Sequence, residues 1–180
     1  YTTGNTLSLH DALPISATPD DAGAVSAVLQ AAYPVLLAPA YDPDLLARVL
    51  PVMTRANPRL LACGTFHVAE IEGLGVVGCG GWTRERPDDP RAPIDPALGH
   101  LRHFGTRPEL LRRGVGRAIF ARCAAEARAA GVGRFDCWST LVARSFYESL
   151  GFVVRETIAV PMPGGSLPAL RMEADVPTGA

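Results

Sequence analysis

At 180 residues, 48% hydrophobic and 19% charged, the chain has the size and composition of one globular domain able to bury a core. Its net charge of −1 excludes a global field directed at nucleic acid or an acidic membrane surface. All 17 basic residues are Arg, which excludes a P-loop lysine, a lysine Schiff base and a lysine general base.

The chain opens on Tyr1, and residues 1–13 (YTTGNTLSLHDAL) have no period that continues into the segment after them. They are expected to be a foreign or processed leader, with a single domain over 14–175 and a tail over 176–180. Pro14 to Thr18 reads as a short strand. Thr18 or Asp20 then caps a helix from Asp21 to Ala32, with Ala24, Val28 and Ala31/Ala32 on one face, broken by Tyr33-Pro34. A second helix starts at Asp42-Pro43 and carries Leu45, Leu46, Val49 and Leu50, with Pro51 kinking or ending it. Tyr33 to Tyr41 reads as a pocket wall or as a packed loop.

Thr65 to Glu72 alternates like a half-buried strand, Gly73-Leu74-Gly75 turns, and Val76 to Arg84 returns antiparallel. The run Gly78-Cys79-Gly80-Gly81 lies inside that strand with no helix after it, so it marks a bulge or a close approach, not a dinucleotide site. Glu85 to Pro96 is a Pro/Asp/Arg-rich loop with the character of a lid. His100 to Thr106 is a strand ended by Arg107-Pro108, and Ala118 to Ala130 is a helix stopped by Gly131. Then come a strand (Arg134–Leu141), a short helix (Ala143–Leu150) and two last strands (Phe152–Val160, Leu167–Ala174). The expected fold class is α+β: a mostly antiparallel sheet of six or seven strands flanked by about four helices.

Between the strand at 100–106 and the helix at 118–130 lies Arg112-Arg113-Gly114-Val115-Gly116-Arg117. Glycines that turn tightly into a helix N-terminus present unpaired N–H groups at the positive end of the helix dipole, which suits a phosphate or pyrophosphate. Cys63, Cys79, Cys123 and Cys137 form no CxxC pair, and the histidines are not at zinc spacing, so no metal is expected. Buried free thiols fit a reducing, cytoplasmic setting, and no apolar run reaches the roughly 18 residues of a membrane span.

RRGVGRA after a strand, with ARSFYESLGF further along, resembles the GCN5-related N-acetyltransferase (GNAT) superfamily over about residues 14–175. The resemblance implies the GNAT sheet and an acetyl-coenzyme A-dependent acetyltransferase acting directly on a primary amine of a small molecule or peptide. A non-catalytic acyl-CoA-binding module of the same fold is the alternative. It implies that N–H groups from Arg112 through Arg113, Gly114, Val115, Gly116 and Arg117 to Ala118 bind the pyrophosphate. Phe104, Gly105 and Thr106 would pair with the pantetheine amides. Leu111 departs from the family's Gln or Arg, with Arg112 and Arg113 as compensation. Arg102, Arg107, Arg112, Arg113 and Arg117 would add positive potential, whereas Arg122 and Arg128 read as a solvated helix face.

Tyr147 falls on the family's catalytic tyrosine, which stabilises or protonates the leaving thiolate. The base that frees the amine is His100, Glu70 or a water chain. Strict alternation sets His100, Arg102 and Phe104 on one face and His103 on the other, as packing. Trp82, Trp138 and Tyr33 are candidates for the acceptor pocket, and nothing argues for Cys137 as a nucleophile. The expected partners are the amine acceptor and, through the terminal strands, a second copy of the chain, with neither nucleic acid nor membrane.

Overall fold

The computed structural model describes residues 13–178. The leader expected at 1–13 therefore lies outside the described residues, except for the exposed Leu13. In chain order the elements are β1 (Pro14–Ser16), α1 (Ala22–Leu37), α2 (Pro43–Met53), α3 (Pro58–Leu61), β2 (Phe66–Ile71) and β3 (Gly75–Thr83). They continue with β4 (Leu98–Thr106), α4 (Val115–Ala129), β5 (Arg134–Thr140), α5 (Arg144–Glu148), β6 (Val153–Met162) and β7 (Gly165–Asp175). All seven strands form one sheet in the order β1-β2-β3-β4-β5-β7-β6. Every neighbouring pair is antiparallel except β4 and β5.

Local chemistry accounts for most boundaries. The Thr18 backbone N–H donates to the Asp21 carboxylate at 2.7 Å, closing the turn that leads into α1. The Asp42 carboxylate accepts from the N–H groups of Asp44 and Leu45, and Pro43 occupies the first turn of α2. Gly131, at φ 78°, ends α4 in the left-handed region.

Two expectations are corrected. Tyr33-Pro34 does not break α1, which continues to Leu37. Pro34 and Gln30 both lie on the exposed side, so the Gln30 carbonyl that loses its N–H partner is left to water. The buried stripe of α1 is Val25, Val28, Leu29 and Ala32, whereas Ala24 and Ala31 are exposed. Among the described residues the helices are five, counting the one-turn α3 capped by Asn57, in keeping with the expected sheet flanked by about four helices.

The sheet has a core on each face. On one, α4 and α5 pack Val115, Ile119, Phe120, Cys123 and Tyr147 against Phe135, Cys137, Phe152 and Met172. On the other, α1 and α3 pack Val25, Val28, Leu29 and Leu60 against Phe66, Val68 and Cys79, and α2 packs Leu46 and Val49 toward Leu167 of β7. The glycine run of β3 serves close packing. A Cβ on Gly78 would stand 2.5 Å from Val115 Cγ1, and one on Gly81 2.6 Å from Phe66 Cα.

Candidate active site

β4 and β5 are side by side only at their first residues. Their ladder joins Leu98 to Arg134, Gly99 to Phe135 and His100 to Asp136, then stops. β4 continues on β3, whereas β5 runs along β7 through Thr140. The two central strands therefore splay, and from Leu101 to Thr106 the β5-facing edge of β4 has no strand partner. An extended chain with amide groups can pair with such an edge.

Within that edge the register slips between Cys79 and Gly81, so His103 and Phe104 together oppose Gly80. His103 absorbs the bulge with φ at 50°. A Cβ on Gly80 would meet the Phe104 ring at 2.8 Å, and Gly78, on the same face, looks into α4. Phe104 thus faces α4 and α5, while His100 and Arg102 face the other way beside Thr83. This corrects the simple alternation that grouped Phe104 with His100 and Arg102. The carbonyl of Phe104 accepts from the Tyr33 hydroxyl at 3.3 Å, which ties α1 to the bulge.

At the open end of the splay, Arg112 (φ 60°) and Gly114 (φ 89°) are both left-handed. Gly114 caps α4 without a side-chain bond, and its carbonyl accepts from the Ala118 N–H at 2.9 Å. No N–H from Arg112 to Arg117 donates to another described residue, so a row of donors converges at the positive end of a 15-residue helix. Arg112, Arg113 and Arg117 are exposed around it, and none pairs with a carboxylate among the described residues. Arg102 does not join this group: its guanidinium donates to Thr83 Oγ1 at 3.0 Å, on the opposite face. Arg122 pairs with Glu126 on the solvated side of α4, and Arg128 donates to the Pro177 carbonyl, as a solvated face requires.

The two motifs meet in space. A Cβ on Gly116, in the first turn of α4, would stand 3.1 Å from the Phe146 ring of α5 and 3.9 Å from Thr106 Oγ1. Beside Phe146, the Tyr147 ring contacts Phe104 edge-on at 6.3 Å and Phe152 at 5.4 Å. Burial holds the Tyr147 phenol well above its ordinary pKa, with Cys137 and Tyr33 adding to the effect. Its hydroxyl makes no hydrogen bond among the described residues and is not sealed from water. Burial likewise pushes the Cys137 thiol up, away from the thiolate a nucleophile needs.

At the closed end, His100 Nδ1 lies 3.3 Å from Asp136 Oδ2, and both side chains are buried. Asp136 Oδ1 accepts from Arg171 Nε at 2.9 Å. With the proton on Nδ1, Asp136 fixes the ring and leaves Nε2 as the basic atom. Nε2 has no partner among the described residues and is not sealed from water. Neither Asp136 nor Arg171 stood out in the sequence, since both reach His100 only through strand pairing.

The other candidates separate clearly. Glu70 is exposed on β2, with β3 standing between it and β4, so the fold does not bring it to the splay. Trp82 is core, edge-on to Phe135. Trp138 is half-buried, on the face of β5 that carries Asp136, and belongs to none of the three hydrophobic clusters. The Glu85–Pro96 loop, expected as a lid, lies at the closed end, with Arg86 paired to Asp88. The described residues hold no group of three or more His, Cys, Asp or Glu side chains placed to hold a metal ion. They also include no helix long and apolar enough to cross a membrane.

The family model for the acetyltransferase (GNAT) domain matches residues 62–154. No curated protein matches the sequence. Among solved structures, a GCN5-related N-acetyltransferase from Rhodopseudomonas palustris superposes with a TM-score of 0.72 at 18% identity, covering 91% of this chain and 95% of that one. The PaiA N-acetyltransferase of Thermoplasma acidophilum, in complex with coenzyme A, gives 0.68 at 14% identity over 90% and 97%. YncA of Salmonella typhimurium, a putative acetyltransferase with acetyl-CoA, gives 0.60 at 20% over 94% and 96%. At these identities the structures share the fold.

Proposed function

We propose that this chain, which belongs to the GNAT acetyltransferase family, moves the acetyl group of acetyl-coenzyme A directly to a primary amine of a small molecule or peptide. The observation that carries the reading is the convergence of the free β4 edge, the donor row at α4 and Tyr147 on one splay. A pyrophosphate on the N–H groups from Arg112 to Arg117 and a pantetheine arm along Phe104, Gly105 and Thr106 set the thioester beside Tyr147. The Ala118 N–H, expected in this row, is instead spent on the Gly114 carbonyl. Coenzyme A binding in the PaiA and YncA structures supports the same use of the fold.

Transfer begins with the acceptor, which arrives as an ammonium and must lose a proton. His100 Nε2 takes it directly or through water while Asp136 holds the ring. The amine nitrogen attacks the thioester carbonyl carbon. A C–N bond forms, and the developing oxyanion is met by a main-chain N–H of the β4 edge. The C–S bond breaks, and the electron pair leaves with sulfur. Thiols ionise near pH 8.5, whereas burial holds the Tyr147 phenol well above 10, so net proton transfer to the thiolate is uphill. Tyr147 therefore acts by donating a hydrogen bond to the departing sulfur. The amide nitrogen gives up its second proton to solvent as the intermediate collapses, and solvent supplies a proton to the thiolate afterwards.

Two measurements test this reading. Calorimetry should show acetyl-CoA binding that weakens several-fold in Gly114→Ala, since a Cβ at φ 89° strains the donor row. Free-thiol release should depend on an added amine. Binding without release for any amine would favour the non-catalytic module, and absence of binding would defeat the reading of residues 104–118.

A further inference from the structure

Two arginines on the same face of the sheet are treated differently. Arg171, about one-third exposed, is paired with three carboxylates: Asp136, Glu156 and Glu173. Arg102 is also half-buried, and no carboxylate lies within ion-pair distance of it among the described residues. Its one bond among the described residues is from Nη1 to Thr83 Oγ1 at 3.0 Å, which fixes the plane of the guanidinium. Its other N–H donors bond to no described residue and are not sealed from water. Burial depresses its pKa, Cys63 and Glu85 oppose that shift without pairing, and Arg59 adds a smaller push in the same direction as burial. A partly desolvated guanidinium with no carboxylate paired to it gains when a ligand supplies the anion.

The position is specific. Arg102 lies two residues beyond His100 on the same face of β4, a spacing of roughly 7 Å along a strand. It comes just before the bulge that turns Phe104 to the opposite face. A molecule whose amine is deprotonated at His100 and presented at the splay must lie alongside Arg102. Across the splay, Trp138 offers an unengaged aromatic surface on that face, two residues past Asp136.

Resting on the acetyl-transfer reading, we propose that the acceptor carries a carboxylate in addition to its amine. Arg102 receives that carboxylate through its free donor edge, and Trp138 borders the rest of the molecule. Planar guanidinium–carboxylate pairing gives both charge and orientation, so it selects amino acids over simple amines.

The test compares matched acceptors: L-phenylalanine with phenethylamine, L-leucine with isopentylamine, and O-phosphoethanolamine with ethanolamine. In the wild type the carboxylate member of each of the first two pairs should have at least a tenfold higher kcat/KM, expressed mainly in KM. In Arg102→Gln that ratio should fall toward one, and Arg102→Lys should recover part of it. Because the readout is a ratio within one sample, partial misfolding does not mimic the result. Equal use of both members, or a ratio that survives Arg102→Gln, overturns the proposal. Preference for the phosphate acceptor over the amino acids overturns the carboxylate assignment. If acetyl-CoA fails to bind or no amine releases thiol, it is the acetyl-transfer reading that has failed. Calorimetry with N-acetyl-L-phenylalanine and N-acetylphenethylamine then decides about Arg102. Tenfold tighter binding of the first, lost in Arg102→Gln, upholds the anion site, and equal or absent binding overturns it.

Discussion

Replacing Tyr147 by Phe removes one hydroxyl and leaves the ring in place against Phe104, Phe146 and Phe152. Since that hydroxyl has no hydrogen-bond partner among the described residues, the folded state loses almost nothing. The change in unfolding free energy should stay within about 0.5 kcal/mol. The transition state loses a hydrogen bond to a developing thiolate, and bonds to charged groups contribute ~1.5–3 kcal/mol. At about 1.4 kcal/mol per factor of ten, kcat should fall about 10- to 150-fold. Thiol release at saturating acetyl-CoA and acceptor measures the first effect, and urea unfolding measures the second. Tyr147→Ala is the contrast, because truncating a buried aromatic costs ~3–5 kcal/mol of stability. A kcat within threefold of wild type for Tyr147→Phe would refute the role given to the phenol and leave Tyr147 as packing alone. A stability loss above about 2 kcal/mol in the same variant, on the scale of a buried donor or acceptor left unpaired, would show that the hydroxyl is structural.

Asp136→Asn should preserve the shape at His100 while removing the charge that favours the Nδ1–H tautomer, so kcat/KM should fall at least tenfold and its pH profile should shift, with KM for acetyl-CoA unchanged. A proportional loss at every pH would mean that Asp136 serves the fold and not the base. Burial lowers the His103 pKa to about 4, so between pH 6.5 and 4 the unfolded chain binds more protons than the folded one. Stability should therefore drop as pH falls through that window, by on the order of 2 kcal/mol at pH 4.5, and the slope should flatten in His103→Asn, whose side chain tolerates a positive φ. Gly81→Ala drives a Cβ to 2.6 Å from two backbone atoms, Phe66 Cα and the Thr65 carbonyl oxygen, and should lower the urea midpoint by an amount equivalent to ~2 kcal/mol or more. Gly23→Ala, in α1 with open space around it, should instead raise stability by about 0.5–1 kcal/mol, and similar outcomes for the two would contradict the packing of β3 on β2.

Local signals account for what was legible in the sequence. Asp42-Pro43 starts α2 and Gly131 stops α4. β2, expected as a half-buried alternating strand, is instead buried at every residue except Glu70, because the sheet carries a core on each face. Gly114 and Gly116 announce a tight turn into a helix N-terminus, because that turning is a property of the residues themselves. The same holds for the position of Tyr147 in a short helix before Gly151. Pro34 misled because a proline's cost depends on where the orphaned carbonyl points, and only the packing of α1 sets that.

The sequence by itself determined most of the elements, the α+β class and the glycine turn that leaves the N–H groups of Arg112 to Arg117 unpaired, because each depends on neighbours a few residues apart. Tertiary structure decided which of these meet. The bulge at His103 shifts the period of two by one residue, which turns Phe104 toward α5 and leaves Arg102 beside His100. Asp136 reaches His100 from 36 residues away by parallel pairing, and Arg171 reaches Asp136 from 35 away by antiparallel pairing. Glu70 was a base on paper and is separated from β4 by a whole strand. Strand register and sheet order arise from long-range pairing that no local period encodes, so the charges assembled at the closed end of the splay become visible only in the folded sheet.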